Sequence, residues 1–585
     1  MTSINKPPII KFSDLFPNET LDIIDELKKF KREDLIKASS LLGIIYQNAS
    51  FLNSVFFSSV SQKYMDDINH RYIKYKEKHR INNALFCTYK SSLELLRIIY
   101  SIPFEDYKGT IKASDIEYEL LRVLLRINEQ LFHATDLIDD EICDPNLLYY
   151  LYYSTYDTVS VDYMSIYSMQ LYYCRLLFDF LTTNNTATQY LYEPFLNIFN
   201  IKDWREYTGT ILLLYLSLYQ FQMTNKKGLF YIHERLFSED CKFLYNKNVI
   251  RELSLNLNES IPYESTNKRD KNNNVDYKFF RSKPLICVND DSHLIYNAQI
   301  LIEQLYNSIV FRLIDLWDSK NGDFFDYYNK RFIEEYLFHR TMLRSANKSN
   351  FYYPSKDAIL SEINNANEYK APDFYIRAKE NLYLFECKGI MINGLYKEKD
   401  KEIELIAELK KKLYYYINNK GKTVYVGVGQ LVNHIENIQY DNQGDLFPWD
   451  KKLPQDVCYY PILVLSDMKQ VQPGLMSIIN NWFYEEMRSR NLHHIAHKPI
   501  IVVSIDVLFL YDKLFYKNGF GYYIDRFLYE CNAIQDKDGK WSFDIGASFN
   551  NYMRSYEHNK NSYFLNTVIS MLEHQKQHYM NESGI

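Results

Sequence analysis

Residues 370–390 read KAPDFYIRAKENLYLFECKGI, and the second half of that stretch ends an apolar run on Glu386 and Lys388. Burying a charge is costly unless something pairs with it, so two ionisable groups next to Leu384 and Phe385 require an explanation. In an extended strand alternate side chains share a face: Leu382, Leu384, Glu386 and Lys388 project one way, Tyr383, Phe385 and Cys387 the other. Upstream, APDFYIRA is strand-like and KEN is turn-like, which predicts a hairpin carrying Asp373 back beside the pair. A two-residue turn at Glu380 and Asn381 sets Asp373 opposite Lys388 on the same face. A three-residue turn would point it away unless a bulge corrected the register.

Two carboxylates converging at the end of a sheet beside an ammonium suit a hard divalent cation and a water molecule. Mg²⁺ prefers oxygen ligands, keeps several waters and takes one or two protein carboxylates together with phosphate oxygens. Such an ion lowers the pKa of an attacking water and offsets charge on a scissile phosphate. Lys388 would orient or help deprotonate that water, or stabilise the transition state.

The surrounding chain is long and ordinary in composition. Its 585 residues suggest more than one folding unit, and 46% hydrophobic with 24% charged residues mark a globular protein. A net charge of -6 removes any whole-chain polycationic signature, so nucleic-acid contact has to come from local basic patches. The cysteines at 87, 143, 174, 241, 287, 387, 458 and 531 contain no C-x-x-C pair, which argues against a zinc ribbon and for a reducing compartment. MTSINKPPIIKFSDLF lacks the pattern of a signal peptide, and the run Ile211–Tyr219 is far short of the ~20 residues that span a bilayer. The expectation is a cytoplasmic protein with no membrane partner.

From 20 to about 250, apolar residues recur near every 3.6 positions with few glycines or prolines, as in DIEYELLRVLLRINEQLFHATDLIDD and MSIYSMQLYYCRLLFDFLTT, predicting helices. Breaks fall at TTNNTAT (182–188) and at the polar run 264–276. Beyond 371 the pattern becomes strands alternating with helices: DFYIRA, NLYLFECK, TVYVGVGQLV, YYPILVLS and PIIVVSIDVLFL. This predicts a mostly helical N-terminal domain over 1–320 that senses, binds or clamps, and a mixed-sheet α/β domain over 321–585 with a C-terminal helical extension.

PDF, twelve intervening residues and ECK resemble the PD-(D/E)xK motif of the restriction-endonuclease-like phosphodiesterase superfamily. The resemblance covers roughly residues 325–470. It implies a restriction-endonuclease-like core, Asp373 and Glu386 as ligands of Mg²⁺ or Mn²⁺, and Lys388 as the catalytic lysine. The family usually adds an acid from a preceding helix; RFIEEYLFHR offers Glu334 or Glu335, with Glu334 favoured because IEEY resembles the family's F-E-x-Y pattern. Many relatives carry a glutamine on the helix after the motif, where this chain offers Glu408. The implied function is metal-dependent nucleic-acid hydrolysis, of DNA rather than RNA, in defence against phage or foreign DNA. Homo-oligomers or a protein partner through the helical domain would complete the binding channel. A scaffold of the same fold, catalytically silent, is the alternative.

KEKDKEIELIAELKKKLYYYINN predicts a helix with Ile403, Ile406, Leu409, Leu413 and Tyr416 as its apolar stripe. Lys410, Lys411 and Lys412, backed by Tyr414–Tyr416, form a basic and aromatic surface suited to phosphate contact and base stacking. DLIDDE (136–141) reads as a polar helix end, and His493, His494 and His497 lack the glutamate of a zincin. No nucleotide-binding loop is present.

Overall fold

The structure, a computed structural model, describes residues 9–44, 62–79, 84–131, 150, 163–183, 188–224, 231–233, 246–261, 277–289, 292–346, 351–352, 371–390, 392, 402–440, 450, 453–454, 456–544 and 546–556. Two expectations, the loop at 264–276 and the acidic stretch 136–141, lie outside these residues.

The motif hairpin is the centre of a five-stranded sheet formed by β1 (Phe351–Tyr352), β2 (Phe374–Ala378), β3 (Asn381–Lys388), β4 (Cys458–Leu465) and β5 (Ile501–Ser504), in the order β5-β4-β3-β2-β1. β1 pairs with β2 and β2 with β3 antiparallel, whereas β3, β4 and β5 run parallel. β3 and β4 are buried over nearly their whole length, as unbroken apolar strands covered on both faces must be. On one face Phe338 packs against Phe374 and Phe385. That phenylalanine belongs to α1, a continuous helical run of Phe324–Tyr327, Tyr328–Phe338 and His339–Ser345.

The hairpin turns at Lys379 and Glu380, because Ala378 pairs with Asn381 and Phe374 with Phe385. Lys379 takes the positive φ of 57° that a two-residue connection demands. The expected turn lay one residue later. Moving it by one shifts the pairing by two residues, which preserves the face, so Asp373 comes opposite Glu386, with Lys388 still within reach on the same face.

Two segments expected as strands switch to helix partway. TVYVGVGQLV contributes only Thr423–Tyr425 to a strand and then enters α3 (Val428–Tyr440), where Val428, Leu431, Val432, Ile435 and Ile438 form a buried stripe. PIIVVSIDVLFL leaves β5 at Ser504, whose hydroxyl accepts from Val507 N and starts the helix Ile505–Leu510. In α2 (Glu402–Leu413) the buried positions are Leu405, Leu409 and Leu413; Ile403, assigned to the stripe, is 84% exposed.

The preceding residues are mostly helical, with Arg32–Ile44, Gln62–His79, Tyr89–Ser101 and Ile116–Leu131 among their helices. A small four-stranded sheet joins them, in the order Tyr231–His233, Ser292–Ile295, Leu285–Asn289, Ser254–Asn256. The chain is thus mixed helix and sheet. One apolar core gathers residues from Ile10 to Ile300, and the other gathers residues from Tyr150 to Met553, so the two overlap along the chain.

Two buried carboxylates fasten the helical part to the segments that follow β4 and β5. Glu303 meets Lys469 at 2.9 Å and Arg281 at 3.1 Å and accepts from the Tyr89 hydroxyl. Burial alone raises its pKa, but the Lys469 and Arg281 cations outweigh it and bring the carboxyl down to about 2. Asp506 accepts from the Tyr173 hydroxyl and from Met468 N, and burial, with Asp467 nearby, pushes it up to about 7. Glu303 therefore stabilises the fold by about 3 kcal/mol above pH 4.5, an amount lost as pH falls from about 4.5 towards 2. Protonated Asp506 contributes about 4 kcal/mol below pH 4, lost as pH rises through about 7. Urea unfolding across this range should show stability falling on both sides of about pH 4–5. Glu303→Gln is expected to flatten the acid limb and Asp506→Asn the alkaline one; limbs unmoved by either variant would contradict the assignment.

Candidate active site at the end of strand β3

Glu386 has no exposed surface, and two cationic or donor groups converge on it. Lys388 Nζ lies 3.1 Å from its Oε2, and His434 Nε2, from the middle of α3, lies 2.7 Å from its Oε1. The same ammonium is 3.7 Å from Asp373 Oδ2 and 3.9 Å from Glu334 Oε1. Asp373 is held by Cys387 N, which donates to its Oδ2 at 2.9 Å. Three carboxylates from three elements, α1, the start of β2 and the end of β3, thus surround one lysine.

The central part of α1, Tyr328–Phe338, is π-helical, the wide form in which residues five apart share a face. Asn329 and Glu334 are five apart. Asn329 lies against Gly389, where an added Cβ would come within 2.3 Å of its Oδ1 and 3.0 Å of its Cβ. The glycine after the E-x-K triplet leaves room for the Asn329 side chain of α1. Glu335 points away and pairs with Arg331 at 2.8 Å. Gly389→Ala should crowd the Asn329 side chain and cost about 1–3 kcal/mol, checked by thermal unfolding; wild-type stability in that variant would contradict the close approach.

Burial alone lowers the pKa of Lys388, but Asp373, Glu386 and Glu334 outweigh it and hold the ammonium above the ordinary lysine value. The residue is a cation at neutral pH. With three carboxylates around it, the cluster retains excess acceptor oxygen directed at a point of positive charge. Carboxylate oxygens of this kind are the hard donors that Mg²⁺ and Mn²⁺ take. Among the described residues no three Asp, Glu, His or Cys side chains are already arranged around a common metal position. The point of convergence is taken by Lys388 Nζ instead.

His434 is the member of the cluster that sequence reasoning missed. Its signal is position: three residues after Leu431 and four before Ile438, it lies in the apolar stripe of α3, where a polar side chain needs a partner. Glu408, the candidate for the auxiliary role, instead pairs with Lys412 at 3.2 Å. Lys410, Lys411 and Lys412 form the last turn of α2, with Lys410 Nζ 5.9 Å from the Trp482 ring and Lys411 exposed. His493 and His497 do not share a helix; His497 is buried with Nδ1 against Lys498 O.

Comparison with protein-family models, with curated proteins and with solved structures returned no match in any of the three.

Replacing Lys388 by Met leaves three carboxylates facing one another, and loss of one partner from a buried pair costs about 3–5 kcal/mol. Lys388→Met is therefore expected to unfold at a lower temperature than wild type in EDTA and to regain much of the difference in millimolar Mg²⁺ or Mn²⁺. A variant whose melting temperature ignores both ions would remove the metal assignment.

Proposed function

We propose that this chain is a metal-dependent nuclease of restriction-endonuclease-like type that hydrolyses phosphodiester bonds of nucleic acid, DNA in preference to RNA, in defence against foreign genomes. The observation that carries the reading is the meeting of Asp373, Glu386 and Glu334 around Lys388 at the end of a buried strand. Ionisable groups gathered in this way cluster at functional sites. The helix bearing Glu334 precedes the motif hairpin, and α2, a small hairpin and α3 follow it before the parallel strand β4.

In this reading Asp373, Glu386 and Glu334 hold Mg²⁺ or Mn²⁺, which when bound supplies charge to offset the phosphate and acidifies water. His434 fixes one oxygen of Glu386, and Cys387 N fixes one of Asp373, so both carboxylates are oriented before substrate arrives. Before an ion binds, the three carboxylates hold Lys388 as a cation, and in this reading it orients the attacking water or stabilises charge developing on the phosphoryl oxygens. A second reading, a nuclease-like scaffold in which the same groups only form ion pairs, is favoured by one observation: Lys388 already lies within 4 Å of all three carboxylates.

Purified protein incubated with plasmid, single-stranded DNA and single-stranded RNA in Mg²⁺ or Mn²⁺ separates the two. The expected result is cleavage abolished by EDTA and reduced at least about a hundredfold in Asp373→Asn, Glu386→Gln and Lys388→Ala. His434→Ala should lower the rate less, because it removes an orienting contact and no ligand. Cleavage that persists in Glu386→Gln would exclude this site.

A further inference from the structure

The chain carries one segment whose charge runs against the whole: between Leu409 and Ile435 there are five lysines and no Asp or Glu, in a protein of net charge -6. This segment is the end of α2, a hairpin of Tyr415–Ile417 and Thr423–Tyr425, and the first two turns of α3. Lys412 is paired with Glu408, and Lys410 lies near the Trp482 ring. Lys411, Lys420 and Lys422 are exposed and form no ion pair among the described residues. Beside them Tyr416 is 38% exposed and Ile417 68%.

The hairpin is built to keep its shape. Asn418 Oδ1 accepts from the backbone N–H of both Lys420 and Lys422, Asn418 N donates to Lys422 O, and Gly421 takes φ 71°. At the root the Tyr414 hydroxyl bonds Glu486, the Tyr414 ring stacks on Trp482, and Val426 N donates to Tyr414 O. Gly427, at φ 46°, brings the chain so close that a Cβ would lie 2.6 Å from Leu413 O. The helix leaving this root carries His434 to Glu386, roughly 9 Å along its axis from Val428 at 1.5 Å per residue. An exposed cationic, aromatic tip is thereby joined through rigid elements to the carboxylate cluster.

We propose that this hairpin is a nucleic-acid clamp: Lys411, Lys420 and Lys422 contact the phosphate backbone, and Tyr416 packs against unpaired bases of the same strand. Charge complementarity names the occupant, since three unpaired cations on an acidic protein attract a polyanion, and an exposed tyrosine offers a stacking face. The proposal rests on the nuclease reading for the identity of the substrate, not for the surface itself.

Fluorescence anisotropy of the full chain with labelled duplex DNA, single-stranded DNA and single-stranded RNA, in EDTA and over a salt series, tests it. In the variant combining Lys411→Ala, Lys420→Ala and Lys422→Ala, affinity should fall at least about tenfold. The slope of log affinity against log salt should become shallower by about 2–3, near 0.9 per lost duplex phosphate and 0.7 per single-strand phosphate. Tyr416→Ala should weaken single strands by roughly tenfold and duplex little. Equal affinity and slope in wild type and the triple variant, or no binding of any of the three probes, overturns the clamp. Wild-type binding that the triple variant loses, with no cleavage in Mg²⁺, would keep the clamp and reject the nuclease. Cleavage unchanged in the triple variant would do the reverse.

Discussion

A carboxylate with no exposed surface at the end of an apolar strand is the constraint from which the rest of this arrangement follows. Glu386 stays charged in such a place only if compensated, and its two oxygens are met by Lys388 and His434. Lys388 in turn has three N–H donors, and Asp373 at 3.7 Å and Glu334 at 3.9 Å face it along with Glu386. A buried ion pair is weak evidence of stability, because well-packed apolar residues of similar volume do as well or better. Holding four charged groups where β3 and β4 are otherwise continuous hydrophobe therefore costs the fold something, and that cost is intelligible at a functional site.

The same charge balance sets the resting state of Lys388. Sequence alone leaves a lysine in this position three roles: orienting water, taking its proton, or stabilising the transition state. Three neighbouring carboxylates hold it protonated while no ion is bound, so its proton is lost only once that charge is offset. Its ammonium also sits where the acceptor oxygens converge, so a divalent ion entering the cluster competes with a tethered cation already present.

Much of this was legible because strand chemistry has a period of two. The faces of Asp373, Glu386 and Lys388 follow from parity, and parity survives the shift from the expected Glu380–Asn381 turn to Lys379–Glu380. The turn itself was ambiguous, since KEN offers three polar residues of similar turn tendency. The convergence of Glu334 depends on a π-helical stretch, and no pattern of apolar residues distinguishes that from an ordinary helix. TVYVGVGQLV and PIIVVSIDVLFL misled because each joins a strand to a buried helix, and a short apolar run lacks the period to separate the two. His434 was readable in principle from its place in a stripe of buried residues that the strand assignment concealed.

The position of the cluster in the sheet also relates it to the helical part. β3, β4 and β5 are parallel, so Lys388, the Asp467–Lys469 segment and Asp506 all emerge at their carboxyl ends, where open α/β sheets commonly bind ligands. Ser466 N donates to Lys388 O, which ties the segment after β4 directly to the motif. That segment is also where Lys469 grips Glu303 of the helical part, and Asp506 grips Tyr173. The opposite end of the hairpin is fastened separately, by Asp450 to Tyr375 and Arg377. Displacement of the helical part relative to the sheet is therefore resisted at the end that carries the site, through two buried carboxyl groups that hold Met468 and Lys469, two and three residues after the Ser466 that bonds Lys388.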